Sequence, residues 1–261
     1  LFTFTFLGAE FLFVNVVSRT VSGNQSVASQ NYALGVSAVG FVLYPLFCRI
    51  CRGKVQSAVS LGAAMVSVGC LFLICRHSTY ALTLGMGLVL FLLLGVFGGA
   101  VFYKALCLLE DNTYTARLVG ISYMLGVLLQ IANNNLIHTD ILEAVILSAF
   151  ILLLAVMLIR AEKSSIVPAF SKDAPQEETE KIGRSSMKIG IILALFVAMM
   201  TCIFSTLDNA VTLYHASGVV NIGQWARVLL ALSGLLAGFL FDTAGRKYMS
   251  MIMYCIMILS T

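Results

Sequence analysis

Charged residues are scarce in this chain. Only 11% of its 261 residues are Asp, Glu, Lys or Arg, whereas a soluble domain of this size carries about a quarter. Hydrophobic residues make up 60%, and the mean hydropathy is +0.98. Because a water-soluble surface cannot be built from so few charges, most of the apolar surface must face lipid. The composition therefore excludes a soluble domain and predicts an all-α integral membrane protein with several spans.

The sequence signatures of common enzymes are also missing. It has no G-x-x-x-x-G-K-[ST] phosphate loop, no G-x-S-x-G nucleophile motif and no H-E-x-x-H zinc motif. The three histidines lack paired carboxylates at ligand spacing, and Cys48 and Cys51 form a lone C-x-x-C. We therefore predict no enzyme activity, no cofactor and no metal. The basic residues are spread one loop at a time, which argues against nucleic acid as a partner.

Apolar runs long enough to cross a bilayer dominate the chain. A membrane helix needs about 20 apolar residues. Nine segments approach that length, roughly residues 1–17, 32–50, 55–75, 79–109, 114–137, 141–160, 188–215, 221–241 and 247–261. The sequence starts and stops inside apolar runs, which indicates a fragment of a longer protein.

Lysine and arginine are distributed unevenly between the two ends of these spans. Twelve lie at one end, mainly after span 2, between spans 6 and 7, and after span 8, whereas only Arg19 and Arg76 lie at the other. Since cytoplasmic loops collect Lys and Arg, the twelve are predicted to face the cytoplasm, and the amino terminus begins there too. This favours a multi-pass protein of the plasma or inner membrane, with the lipid bilayer as its surroundings.

One long polar stretch, residues 161–187, divides the spans. It contains two of the three prolines and charges of both signs, which is typical of a flexible or partly helical linker. We place it in the cytoplasm. Residues 1–160 then form an amino-terminal bundle of six spans, and residues 188–261 begin a carboxy-terminal bundle with spans 7 to 9.

The two parts resemble each other. Glu10 in span 1 lies about as far before Gly23 as Asp208 in span 7 lies before Asn221. Spans 2 and 8 both end in a basic turn. This pattern indicates internal duplication with halves of parallel topology.

The segment 237–247, AGFLFDTAGRK, ends one apolar run and precedes the next. A membrane helix that leaves hydrocarbon, makes a tight basic turn and re-enters has this form. Its spacing resembles the signature loop of the major facilitator superfamily: Gly238-x-x-x-Asp242-x-x-Gly245-Arg246-Lys247. Clustered glycines in span 4, then an acid and Arg117-x-x-Gly120 at the start of span 5, are also similar to that family's pattern.

The resemblance covers the whole chain as roughly the first nine of twelve spans. It implies a helical bundle of two pseudo-symmetric halves, the second incomplete. The chain departs from the family after span 2, where YPLFCRICRGK has a basic turn but no Asp and no Gly-x-x-x-Asp. The loop motif of the first half is therefore degenerate. This is compatible with a regulatory protein of facilitator type as well as with a transporter.

Ionisable residues inside the spans are candidates for function, because each costs about 2.5–3.5 kcal/mol to place in hydrocarbon. Glu10, near mid-depth in span 1, either carries a proton or is a neutral acid packed between helices. Asp208 in span 7 and Arg227 in span 8 lie at matching depth and could pair, as a structural ion pair or as a cavity-lining pair that changes partners. Asn209 adds a polar ligand beside Asp208.

Two further polar positions have blander interpretations. Gln130 belongs to a polar streak with Asn133, Asn134 and Asn135 near the outer end of span 5. These side chains either line an outer vestibule or cap the helix end. Lys104, near the inner end of span 4, is predicted to extend its stem to the headgroups.

The resemblance implies a cytoplasmic gate, because in the family the loop after span 8 packs under the start of span 5. Asp242 would meet the start of span 5 and Arg117. Glu110 would pair with Arg246 or Lys247, and the contacts would break in one conformation and form in the other. The remaining members of this set are the two glycines of the loop motif, Gly238 and Gly245. The alternative is ordinary charge at the membrane surface.

Two functions are compatible with these patterns. The first is secondary active transport of a small solute by alternating access, with a coupling proton carried by Glu10 or Asp208. The second is a facilitator-like membrane sensor or regulatory domain that binds a ligand without transporting it, which the turn after span 2 favours slightly. The sum of the patterns favours transport, and the chemistry of the solute stays open.

Overall fold

The computed structural model describes residues 1–50, 54–76, 79–108, 114–163 and 224–243. Within these ranges the chain is all-helical, with seven helices and no strand, which confirms the predicted fold class. The helices are α1 Phe2–Ser18, α2 Gly23–Ile50, α3 Lys54–Cys75, α4 Tyr80–Leu108, α5 Thr115–Leu136, α6 Asp140–Lys163 and α7 Gln224–Thr243.

Four helices of the described part are long and apolar enough to cross a membrane. Their spanning segments are Val55–Cys75, Tyr80–Ala105, Ala116–Leu136 and Asp140–Ala161. Their outward faces carry exposed Leu, Val, Ile and Phe side chains, the composition of a surface that meets lipid. The chain is therefore a membrane protein, as its composition predicts.

Seven of the nine predicted spans coincide with a helix, and one begins at the wrong residue. The second span was predicted from residue 32, but α2 begins at Gly23. The residues of its first turns are mostly polar, so a search for apolar runs does not detect this part of the helix. They have partners: Ser29 Oγ lies 3.0 Å from the Tyr80 hydroxyl on α4, and Gln30 bonds to Glu10 on α1. The predicted spans 188–215 and 247–261 lie outside the described residues.

α1 is the central helix of the described bundle and contacts α2, α3, α4, α5 and α6. Its buried face carries Leu12, Phe13 and Val16, which pack with Phe91 on α4 and Leu147 on α6. Since lipid tails are as apolar as these side chains, close packing rather than escape from water holds the helices together.

α2 and α4 cross with their backbones in contact, at Gly40 and Gly95. A methyl group on Gly40 would overlap the Leu92 carbonyl oxygen, and one on Gly95 would overlap the Ser37 carbonyl oxygen. Only glycine permits this approach, because any side chain would meet backbone atoms that cannot move aside.

An ion pair joins the end of α1 to the start of α6. Arg19 Nη1 donates to Asp140 Oδ2 at 2.6 Å, and Nη2 donates to Oδ1 at 3.2 Å. Asp140 is the first residue of α6, where the helix dipole favours a carboxylate. The Cys75 thiol, at the end of α3, donates to the Asp140 carbonyl oxygen at 3.5 Å. Three helix ends therefore meet at one point of the bundle.

We expect the Arg19–Asp140 pair to contribute weakly, with a coupling free energy of about 0.5–1 kcal/mol. The Arg19 side chain is 49% exposed, so solvent screens the attraction. A double-mutant cycle of Arg19→Met and Asp140→Asn, read from unfolding in micelles, measures the coupling. It should shrink as salt is added. A coupling of about 3 kcal/mol or more, insensitive to salt, would contradict this and indicate a buried pair.

Candidate functional site

Glu10 lies in the middle of α1, on the half-buried side of the helix. Gln30 on α2 donates from Nε2 to Glu10 Oε1 at 2.7 Å. The phenol of Tyr123 on α5 is near enough to interact electrostatically with the Glu10 carboxyl group. Three helices thus bring polar groups together around one carboxyl inside the bundle. Gln30 and Tyr123 were not predicted as site residues, because nothing in their local sequence indicates which neighbour they face.

A second polar cluster lies between α5 and α6, beside α1. The side chains of Gln130, Asn133 and Glu143 are buried. Gln130 Nε2 donates to Asn134 Oδ1 at 2.7 Å, and Asn133 Nδ2 donates to Glu143 Oε1 at 3.2 Å. The side chain of Gln130 therefore bonds to the next turn of its own helix, beside the Asn133–Glu143 contact between α5 and α6. Its role in binding a solute stays a prediction.

Glu143 is a site residue that the sequence patterns did not single out. It lies in the first turn of α6, a position where acids usually face solvent and favour the helix dipole. The sequence feature that could have indicated its role is the run of Asn residues at the end of α5. Because α5 and α6 are joined by a short turn, these amides lie close to the first turn of α6. A buried acid facing buried amides is a polar network, not a surface charge.

The α5–α7 contact brings together two residues predicted for the cytoplasmic gate. A methyl group on Gly238 would lie 2.6 Å from the Ala116 carbonyl oxygen and 3.3 Å from Arg117 Cα. The approach is mutual, since a methyl group on Gly120 would lie 3.3 Å from Gly238 Cα. The Arg117 guanidinium carbon lies 5.1 Å from the ring centroid of Phe239 on α7, a cation–π distance. That this contact opens and closes stays a prediction.

The structure describes the other predicted site residues only by their backbone or not at all. The backbone of Arg227 and that of Asp242 are part of α7. The rest lie outside the described residues: Glu110, Asp208, Asn209, Gly245, Arg246 and Lys247. Their roles in coupling and gating stay predictions.

Lys104 on α4 directs its ammonium group to a neighbouring helix. Nζ donates to the Leu158 carbonyl oxygen on α6 at 2.6 Å, whereas its stem was predicted to reach the headgroups. Both residues line a cavity of about 200 Å³ between α2, α3, α4 and α6, which is otherwise mostly apolar and includes Gln56 and Ser60. The bond ties the last turns of α4 to those of α6, near the negative end of the α6 dipole.

Among the described residues, no group of three or more His, Cys, Asp or Glu side chains could hold a metal ion. Comparisons with protein families, with curated proteins and with solved structures found no match to this chain. The resemblance to the major facilitator superfamily therefore depends on the sequence alone, through the loop motif and the spacing of the predicted spans.

Proposed function

We propose that this protein is a secondary active transporter of the major facilitator type, which moves a small solute by alternating access and couples it to a proton. The observation that carries the proposal is the carboxyl group of Glu10, placed in the middle of an apolar helix and bonded to Gln30 of another helix. Ionisable groups at such positions are costly and are found where ions or protons are bound.

Protonation of Glu10 would change the contact between α1 and α2. As a carboxylate, Glu10 accepts the amide hydrogen of Gln30. As a carboxylic acid, it gains a hydrogen to donate, which the Gln30 oxygen can accept if the amide turns over. Protonation of Glu10 therefore replaces one α1–α2 hydrogen bond with another. In the proposed mechanism, this replacement links proton binding to the contact between the two helices.

The α5–α7 contact supports the same proposal. Gly120 and Gly238 let the two backbones approach without interlocking side chains. Such a contact can separate and re-form without repacking a core, as a gate requires. In the proposed scheme it closes one side of the solute pathway, and its place at the start of α5 agrees with the gate that the loop motif implies.

We expect Glu10→Gln to lower solute-driven proton flux by at least about tenfold, because the amide has the shape of the acid but cannot carry a proton. The full-length protein would be reconstituted into liposomes with a pH-sensitive dye inside. Sugars, amino acids, organic acids and organic cations would be added in turn under inward and outward pH gradients.

The matched control is Glu162→Gln. Glu162 belongs to α6 and lies beyond its spanning segment, which ends at Ala161, so its neutralisation should leave flux unchanged. Undiminished flux in Glu10→Gln would overturn the role of Glu10. A solute that binds to the wild-type protein without any flux would overturn transport and favour the membrane sensor.

A further inference from the structure

Glu143 is a buried carboxyl without a cationic partner among the described residues. Its side chain is 5% exposed. Among the described residues, the charged or titratable groups that interact with it are Asp140 on its own helix and Cys75 on α3. Arg19 is already bound to Asp140 through both guanidinium nitrogens. An ionised Glu143 would therefore leave one negative charge uncompensated inside the bundle.

The hydrogen bonds that Glu143 receives do not balance such a charge. The Asn133 amide donates to it at 3.2 Å, and the Gln130 amide faces the same carboxyl. Both donors are neutral. A charge buried in a medium of low dielectric needs a counter-charge as well as hydrogen bonds, since its loss of hydration costs several kcal/mol.

The same cluster contains polar atoms that have no partner. Gln130 is 7% exposed, and its Oε1 atom accepts no hydrogen bond. Asn134 Nδ2 is likewise buried without an acceptor. Buried polar groups are nearly always bonded, so a buried amide oxygen of this kind is suited to a hydrogen-bond donor or a cation.

Gly8 on α1 packs closely against Gln130 and Leu147. A methyl group on Gly8 would lie 3.0 Å from Gln130 Oε1 and 2.5 Å from Leu147 Cδ2. The glycine thus lets α1 close over the cluster without covering the amide oxygen with a side chain.

We propose that Glu143, Gln130 and Asn133 bind a monovalent cation, Na⁺ or a proton, where α5 ends and α6 begins. The Gln130 and Asn133 amides, whose nitrogens face the carboxyl in this structure, would turn over to present their oxygens to Na⁺. Carboxylate and amide oxygens are the ligands that small hard cations prefer in proteins. One positive charge completes the balance with Arg19, Asp140 and Glu143. The site is distinct from Glu10, whose partners are Gln30 and Tyr123, and its occupancy does not depend on transport.

Thermal unfolding of the full-length protein in lipid nanodiscs tests the proposal. Sodium chloride would replace choline chloride at constant ionic strength, at an acidic and an alkaline pH. We expect the saturating cation to raise the melting temperature by about 5 °C, and Glu143→Gln to lose this response. A rise with Na⁺ at alkaline pH identifies Na⁺, whereas a rise with acid alone identifies the proton.

Two matched variants separate this site from other acids. Glu162→Gln should respond as the wild-type protein does. Glu10→Gln should also keep the response, whatever its effect on flux, so the two proposals fail independently. A response lost in Glu10→Gln and kept in Glu143→Gln would overturn the proposal, as would equal responses in the wild-type protein and Glu143→Gln.

Gln130→Ala provides a second variant if Glu143→Gln does not fold. It keeps the carboxylate and removes one oxygen ligand, so the cation concentration, Na⁺ or H⁺, that gives half of the response should rise about tenfold. An unchanged half-saturating concentration would exclude Gln130 from the site and overturn the assignment.

Discussion

Gly95→Ala is expected to lower the free energy of unfolding by about 3 kcal/mol, at the upper end of the usual cost of overpacking. The added methyl group would overlap the Ser37 carbonyl oxygen and lie 3.0 Å from the Phe41 nitrogen. Both are backbone atoms of α2, so neither can turn away as a side chain would. Relief requires α2 and α4 to separate, which also loses the close contact around Gly40.

The matched control for this change is Gly85→Ala on the same helix. Apart from the nearby backbone of α4 itself and the two adjoining residues, no atom of the described residues lies within 4 Å of the position that a methyl group would take on Gly85. Alanine favours helix over glycine by about 0.5–1 kcal/mol, so Gly85→Ala should be neutral or stabilising. Unfolding by a denaturing detergent in mixed micelles measures both variants. Equal stability of the two would show that the α2–α4 crossing is not as close as described.

Gly238→Leu is expected to open the contact between α5 and α7. Its first side-chain carbon would lie 2.6 Å from the Ala116 carbonyl oxygen. Since overpacking costs about 1–3 kcal/mol, the population with separated helices should rise about tenfold or more. Arg117→Cys, introduced in a protein without its native cysteines, would report the separation through its rate of maleimide labelling.

Ala237→Leu is the control for Gly238→Leu. It adds a side chain of the same size at the neighbouring, exposed position, so the labelling rate should not change. Faster labelling of Gly238→Leu with retained thermal stability is the result expected of a gate. Loss of folded protein would instead identify a permanent packing contact and contradict the gate, and equal labelling of both variants would contradict the contact itself.

The sequence predicted helices well where hydropathy is a local property. The runs at residues 55–75 and 114–137 coincide with α3 and α5 to within about a residue. Unpaired backbone N–H and C=O groups are costly in lipid, and an apolar run that crosses the membrane avoids this cost by forming a helix. The same rule was wrong at the start of α2. There, Ser29 bonds to α4 and Gln30 bonds to α1. Hydropathy scores each residue by its own polarity and does not show whether its side chain has a hydrogen-bond partner.

Glu10 and Glu143 show the same difference between what sequence and tertiary structure reveal. Glu10 was found from sequence because a carboxyl amid unbroken apolar residues is anomalous at any depth. Glu143 was not, since an acid in the first turn of a helix is ordinary. Only its contact with Asn133, ten residues earlier in the chain, shows that it faces the interior.

The sequence by itself determined that this protein lies in a membrane, that it is helical, where most helices lie, and that Glu10 is out of place in its surroundings. Tertiary structure alone decided which helices touch: α2 with α4 at Gly40 and Gly95, and α5 with α7 at Gly120 and Gly238. The reason is physical. In lipid both faces of a helix meet apolar neighbours, so periodicity no longer marks an inner face. The pairing is then decided by the fit of small residues against backbone and by the few polar groups that must find one another.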